Sequence, residues 1–232
     1  MIDTIVFDLD GTLLDTLDDL TAAVNHALTA FGLAPIAKLR VREFVGNGVP
    51  KLIERAVYFA TTGKVPNIDG ENDIDRSLVS ACLALCTEYY DKHSMDHTAP
   101  YDGIKDMLSA VKDSGLKSAI VTNKYHAAAC ELKDIFFPTV DIIIGTQDGI
   151  RPKPAPDGVH KALELLGSDT AHAVYVGDGE TDMKTAASCG MPAVAVTWGF
   201  RDEKVLRAFD PEFIIDKPSQ LLDVLRDGGL IK

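Results

Sequence analysis

The chain opens on Ile2-Asp-Thr-Ile-Val-Phe7, a mostly apolar, β-branched run that predicts a buried strand. After Thr16 the period changes to that of a helix. Leu17, Leu20, Val24, Leu28 and Phe31 fall on one face, Asp18 and Asp19 stand in the first turn, and Gly32 marks the stop. Further helices are predicted over 38–44, around Leu52, Ile53, Ala56 and Val57, and along a longer segment carrying Ile74, Leu78, Cys82, Leu85 and Tyr89. Residues 61–73, rich in Gly, Pro, Asn and Asp, read as a loop. Beyond residue 100 the pattern alternates. Strands are expected at 117–122, 141–145, 172–177, 192–197 and 213–215, with amphipathic segments at 104–111, 126–133, 159–166, 182–188, 204–209 and 221–225.

This alternation predicts an α/β fold, a Rossmann-like parallel sheet flanked by helices. The helices that follow the first strand read as an inserted all-helical cap domain. The expected boundaries are 1–15 with 96–232 for the core and 16–95 for the cap, with hinges near Asp15 and between His93 and Ala99.

In parallel sheets of this kind ligands bind outside the carboxyl ends of the strands. The first strand ends in Asp8-Leu-Asp10-Gly11, whose two carboxylates, at i and i+2, point the same way. Paired acids repel, and burying them is costly unless a hard cation such as Mg²⁺ neutralises them. The 117–122 strand leads into Thr122-Asn123-Lys124, the 141–145 strand into Arg151-Pro-Lys153-Pro, and the 172–177 strand into Gly177-Asp178-Gly-Glu-Thr-Asp182. Each alone reads as a polar turn, a helix cap or a surface cation. Together at one sheet edge they point to a site.

The formal net charge of −12 argues against nucleic acid or an anionic membrane as a partner, since no basic field exists to attract them. A small anionic ligand needs only a local cation. No transmembrane run or leader segment is recognisable, so a cytoplasmic location is expected. Cys82, Cys86, Cys130 and Cys189 fit no metal or disulfide spacing and read as small core residues. His93 and His97 read as surface or hinge residues, and Trp198 and Phe200 as packing groups.

With these residues in view the sequence resembles the haloacid dehalogenase superfamily of phosphohydrolases over its whole length. The motifs that carry the resemblance are Asp8-Leu-Asp10-Gly11-Thr12, Ala119-Ile-Val-Thr122-Asn123, Lys153 in its Lys-Pro-x-Pro segment, and Gly177-Asp178 with Asp182. The helical insert is similar to the cap of the phosphoglycolate phosphatase-like branch, and its Val45-Gly46-Asn47-Gly48 loop to that branch's substrate-facing loop. The resemblance implies Asp8 as nucleophile and Asp10 as general acid and base, with Thr122 and Lys153 on the phosphoryl oxygens. It implies backbone amides around Gly11, Thr12 and Asn123 as the rest of the phosphoryl cradle. Mg²⁺ would be held by Asp8, Asp178 and the Asp10 carbonyl, with Asp182 acting through a water or by orienting Lys153. Gly46, Asn47 and Gly48 would contact the substrate. Arg42 and Lys51 are either helpers there or ordinary surface charges.

The acid at position 10 favours a phosphatase over a dehalogenase, because a departing halide needs no proton. The expected partner is a small phosphorylated metabolite, 2-phosphoglycolate first, for a monomer or homodimer. A pyrophosphatase, a broad sugar-phosphate or nucleotide phosphatase and a β-phosphoglucomutase-like mutase stay open. A non-catalytic binding protein on the same fold would be expected to have lost a motif. The chain departs from the usual pattern at Gly179, where Ser or Thr often stands, and at Cys189, where Ala is common.

Overall fold

The computed structural model describes residues 1–68 and 70–231. The chain divides into two compact units, one formed by Met1–Asp15 with Pro100–Lys232 and the other by Thr16–Ala99. It passes between them next to two short strands, Leu14–Asp15 (β2) and Ala99–Pro100 (β3).

The first unit holds a six-stranded sheet. Its strands are Thr4–Phe7 (β1), Lys117–Tyr125 (β4), Ile142–Thr146 (β5), Ala173–Gly177 (β6), Ala193–Val196 (β7) and Phe213–Ile215 (β8). They lie in the order β5-β4-β1-β6-β7-β8, and every pair is parallel. Strand β1 is therefore central, with Phe7 level with Ile120 on one side and Val176 on the other. Its side chains alternate between two cores, as a pleated strand requires. Ile5 and Phe7 join the core built with Ile104–Asp113 (α5), His126–Phe136 (α6) and Leu221–Asp227 (α10). Val6 joins the opposite core, packed by Asp157–Leu166 (α7), Glu180–Cys189 (α8) and Leu206 of Glu203–Arg207 (α9). Helices cover both faces, so the sheet's edge at the strand ends is where polar groups gather.

Among the described residues the second unit contains four helices, Leu17–Ala30 (α1), Lys38–Phe44 (α2), Val49–Thr62 (α3) and Arg76–His93 (α4). Leu20, Val24 and Leu28 of α1 and Leu52, Ile53, Ala56 and Val57 of α3 are buried, as their 3.6-residue spacing predicts. Helix α3 stops at Gly63, whose φ of 69° suits a residue without Cβ. Asp75 caps α4 by accepting from the amides of Ser77 and Leu78.

Several expectations are corrected. Regular pairing in β1 begins at Thr4 rather than Ile2, whose amide goes instead to the Leu230 carbonyl. Strand β4 continues past Thr122 to Tyr125, because a register shift against β5 resumes the pairing at Thr146. Helix α4 begins after Ile74, and its buried stripe is Val79, Cys82, Cys86 and Tyr90, one position on from Leu78, Leu85 and Tyr89. The loop expected over 61–73 begins after Thr62; Asp69 within it lies outside the described residues. Cys130 is half-buried rather than a core residue, while Cys82, Cys86 and Cys189 are buried. Residues 96–99 go with the helical unit, where the Asp19 carboxylate accepts from the His97 and Thr98 amides at 2.9–3.1 Å and from the Thr98 hydroxyl at 2.8 Å.

Candidate active site

Asp8 leaves the central strand as its amide donates to the Val176 carbonyl of β6 at 2.9 Å. Its carboxylate lies 2.8 Å from the Lys153 ammonium, which also donates to Asp182 at 2.7 Å. All three side chains are almost wholly buried. Burial by itself would lower the Lys153 pKa, but Asp182 and Asp8 overcome it and hold the group well above its ordinary value. Lys153 is therefore a fixed positive charge.

Asp178 completes the acidic group. One ligand oxygen each from Asp8, Asp178 and Asp182 lie within 4.8 Å of one another. Burial, then the charge on Asp182, pushes Asp178 up to about 7, against the Phe200 amide, Arg201 and Thr12, which favour its anion. Burial and the neighbouring acids likewise raise Asp8 well above the usual carboxylate range, with Lys153 opposing. Three carboxylates around one ammonium leave uncompensated negative charge, which a divalent cation with oxygen ligands fits.

Two glycines make room for this. Gly11 has φ +89°, and a Cβ there would land on the Asp178 carboxylate. A Cβ at Gly199 would meet both the Gly11 carbonyl and Asp178. Asp178 is then held from two sides, by the Thr12 hydroxyl at 3.0 Å and the Phe200 amide at 2.7 Å. The Trp198 indole donates to the Thr12 carbonyl at 2.9 Å, so Trp198 and Phe200 tie the loop after β7 to the Asp178 pocket. Reading them as packing groups missed this. A backbone donor such as the Phe200 amide leaves no sequence signal, since any residue could supply it.

The sequence-predicted residues of the first unit take distinct places. Thr122 is buried within β4, three residues before its end, its hydroxyl oxygen accepting the Lys124 amide at 3.2 Å. Asn123 accepts the Lys153 amide at 2.7 Å and donates to the Lys153 carbonyl at 3.1 Å, clamping that loop through its side chain. The Gly11 amide donates to the Leu14 carbonyl at 2.8 Å and the Thr12 hydroxyl goes to Asp178, so both residues build the pocket wall. Asp182 is engaged through both oxygens, with Lys153 on one and the Gly179 amide on the other at 3.0 Å. Gly179 thus begins α8 with its amide held by Asp182. The Asp10 carboxylate lies outside the three-acid group and pairs with Lys124 at 2.9 Å. Lys124 received no role from the sequence, although it stands next to the Thr122-Asn123 motif.

In the helical unit Gly46 and Gly48 have φ of 134° and 80°, backbone that favours glycine. The Asn47 carboxamide oxygen, expected to face a ligand, accepts from the guanidinium of Arg55 at 2.6 Å. Arg55 is fully buried and also donates to the carbonyls of Phe44 and Ile68. It is the hub of this loop and was missed, because a buried arginine on a helix looks like any surface cation in sequence. Lys51 pairs with Glu54 at 3.2 Å. Burial pushes the thiols of Cys86 and Cys189 up to about 12 and about 11, so neither is a nucleophile at neutral pH.

The family model of haloacid dehalogenase-like hydrolases matches residues 5–196. A phosphoglycolate phosphatase of Mesorhizobium japonicum is 34% identical over 213 residues, 91% of this chain and 89% of that one. Another, from Neisseria meningitidis, is 31% identical over 234 residues, covering 97% and 94%. A crystal structure from Lactobacillus delbrueckii subsp. bulgaricus superposes with a TM-score of 0.90 at 31% identity, covering 96% of this chain and 98% of its own. On this ground the chain belongs to the haloacid dehalogenase-like hydrolase family.

Proposed function

We propose that the protein is a Mg²⁺-dependent phosphatase that hydrolyses 2-phosphoglycolate through an aspartyl-phosphate on Asp8. The observation that carries the reading is the contact of Asp8 with the buried Lys153 ammonium inside a group of three carboxylates. The pocket offers a nucleophile, a fixed cation for phosphoryl oxygens and an anionic cradle for a metal in one place. The names of the relatives support 2-phosphoglycolate as the substrate.

In this reading an Asp8 oxygen attacks phosphorus and the ester P–O bond breaks. Asp10 gives its proton to the departing alkoxide. Water then attacks the phosphoryl group, Asp10 takes its proton, and the bond to Asp8 breaks to release phosphate. Lys153, oriented by Asp182, and the Thr122 hydroxyl bind the phosphoryl oxygens throughout. Bound to Asp8, Asp178 and the Asp10 carbonyl, Mg²⁺ would reduce the negative charge met by the nucleophile.

The Thr16–Ala99 unit is read as the cap that selects the substrate, its Gly46-Asn47-Gly48 loop fixed by Arg55 through Asn47. The free cysteines fit a reducing compartment, the cytoplasm, and among the described residues no helix is long and apolar enough to cross a membrane.

The test is phosphate release with Mg²⁺ and with EDTA from 2-phosphoglycolate, pyrophosphate, sugar phosphates, nucleoside monophosphates and an aryl phosphate. A preference for 2-phosphoglycolate that vanishes in EDTA and in Asp8→Asn is the expected result. Equal turnover across the panel removes the specific substrate, and no release from any of them by folded protein removes the phosphatase.

A further inference from the structure

We infer that Lys124 is a positioning residue for Asp10, orienting the carboxylate that serves the leaving oxygen; this rests on the role proposed for Asp10 above. The Lys124 ammonium lies 2.9 Å from one Asp10 oxygen and 3.3 Å from the other, so it grips the whole carboxylate. The lysine side chain is 7% exposed and Asp10 17%. A lysine this buried is uncommon without a charge partner, and ordering its long side chain costs rotamer freedom.

The sheet brings the two together. Strands β1 and β4 are neighbours with Phe7 level with Ile120, so three residues on each carries the chain to Asp10 and Asn123, with Lys124 one step further. The same strand end serves the nucleophile's lysine, since Asn123 clamps the Lys153 backbone. Each of the two acids after β1 therefore has a lysine of its own, Lys153 for Asp8 and Lys124 for Asp10. Adjacent carboxylates repel, and separate cations hold them apart in defined orientations. Asp10 is the more exposed of the two acids and sits on the glycine turn, where its short side chain needs an external partner to fix it. Loss of that partner should weaken proton delivery to the leaving group more than attack at phosphorus.

The experiment compares Lys124→Gln and Lys124→Arg with the wild-type chain on ethyl phosphate, p-nitrophenyl phosphate and 2-phosphoglycolate, all with Mg²⁺. The readout is the ratio of kcat on the alkyl ester to kcat on the aryl ester, whose better leaving group needs less protonation. A well-placed acid is worth about 10²–10⁴ in rate, so disorienting it should lower the ratio about tenfold in Lys124→Gln. Lys124→Arg, which keeps donors, should stay within about threefold of wild type. In an Asp10→Asn background Lys124→Gln should lower the ratio no further. Lys124→Met replaces Lys124→Gln if the latter does not fold. A ratio that does not move, or a further fall in the double variant, overturns the inference. So does a rise in KM confined to 2-phosphoglycolate, which would make Lys124 a reader of the ligand's carboxylate. Absence of Mg²⁺-dependent release by the wild-type chain, or full activity in Asp8→Asn, overturns the reading of the site itself and the inference with it.

Discussion

Asn123 and Lys153 meet through the side chain of one and the backbone of the other. The carboxamide accepts the lysine amide at 2.7 Å and donates to the lysine carbonyl at 3.1 Å, while the lysine's own ammonium is spent on Asp8 and Asp182. The asparagine thus sets where the loop after β5 stands, and the lysine sets the charge.

Asn123→Ala removes both contacts and leaves the Lys153 amide and carbonyl without their partner. Displacing a positioned group by about 1 Å can cost roughly 10²-fold in rate. We expect kcat to fall by about 10–100-fold with the melting temperature changed by only a few degrees. Steady-state kinetics beside a thermal melt checks this; a variant with wild-type kcat would show that the clamp does not matter.

Gly11→Ala would put a methyl group against Asp178 at a φ that alanine disfavours. The acid must then move, and the cation cradle with it. On the proposed reading Mg²⁺ should raise the melting temperature of the unsubstituted chain by mass action, and the variant should lose that rise. A retained rise would mean that Asp178 is not a ligand.

The metal-free chain should lose stability as pH rises. The folded pKa of Asp178 is about 7, above its ordinary 3.8, because burial and then Asp182 disfavour its anion. The folded state therefore holds a proton that the unfolded chain releases, and stability from this group falls between about pH 4 and 7. Asp8, raised in the same direction, adds to it. Glu54, lowered by Asn72, Lys51 and Arg76 against its burial, acts oppositely but only at the acid end. In EDTA the melting temperature should be higher at pH 5.5 than at pH 8, and Mg²⁺ should reverse that order. Melts that rise steadily from pH 5.5 to 8 in EDTA would contradict the assignment.

Arg55→Met should destabilise the helical unit. The buried guanidinium serves the carbonyls of Phe44 and Ile68 and the carboxamide of Asn47. Leaving buried acceptors unpaired costs about 1–3 kcal/mol each before water or relaxation repairs them, so a net loss of about 2–4 kcal/mol is expected. Denaturant unfolding measures it, and a loss below about 1 kcal/mol would show that the hub is dispensable.

Asp19→Ala releases the His97 and Thr98 amides at the second crossing between the units. Limited proteolysis should then cut near residues 95–99 faster than in the wild-type chain, with unchanged cutting elsewhere. Equal rates at that segment would show the contact to be incidental.

The architecture was legible because its signals are local. Alternation of strand and helix, a polar residue at each strand's end and glycines at the turns are written in short stretches, so the parallel sheet and the four motifs could be read directly. Helix α4 shows the limit: a run with apolar side chains at both 78/85/89 and 79/82/86 supports two stripes, and only packing chose the second. Lys124 and Phe200 meet partners 114 and 22 residues away, and Arg55 meets partners 8 to 13 residues away across a loop, so no local pattern marks any of these contacts. Sequence alone determined the fold class, the acids after β1 and β6 and the lysine after β5, because each follows from backbone periodicity and residue chemistry. Tertiary structure decided which lysine faces which acid, that two glycines admit Asp178, and that Asn47 is held by Arg55, because those relationships arise only when separate strands and loops are brought within hydrogen-bonding distance.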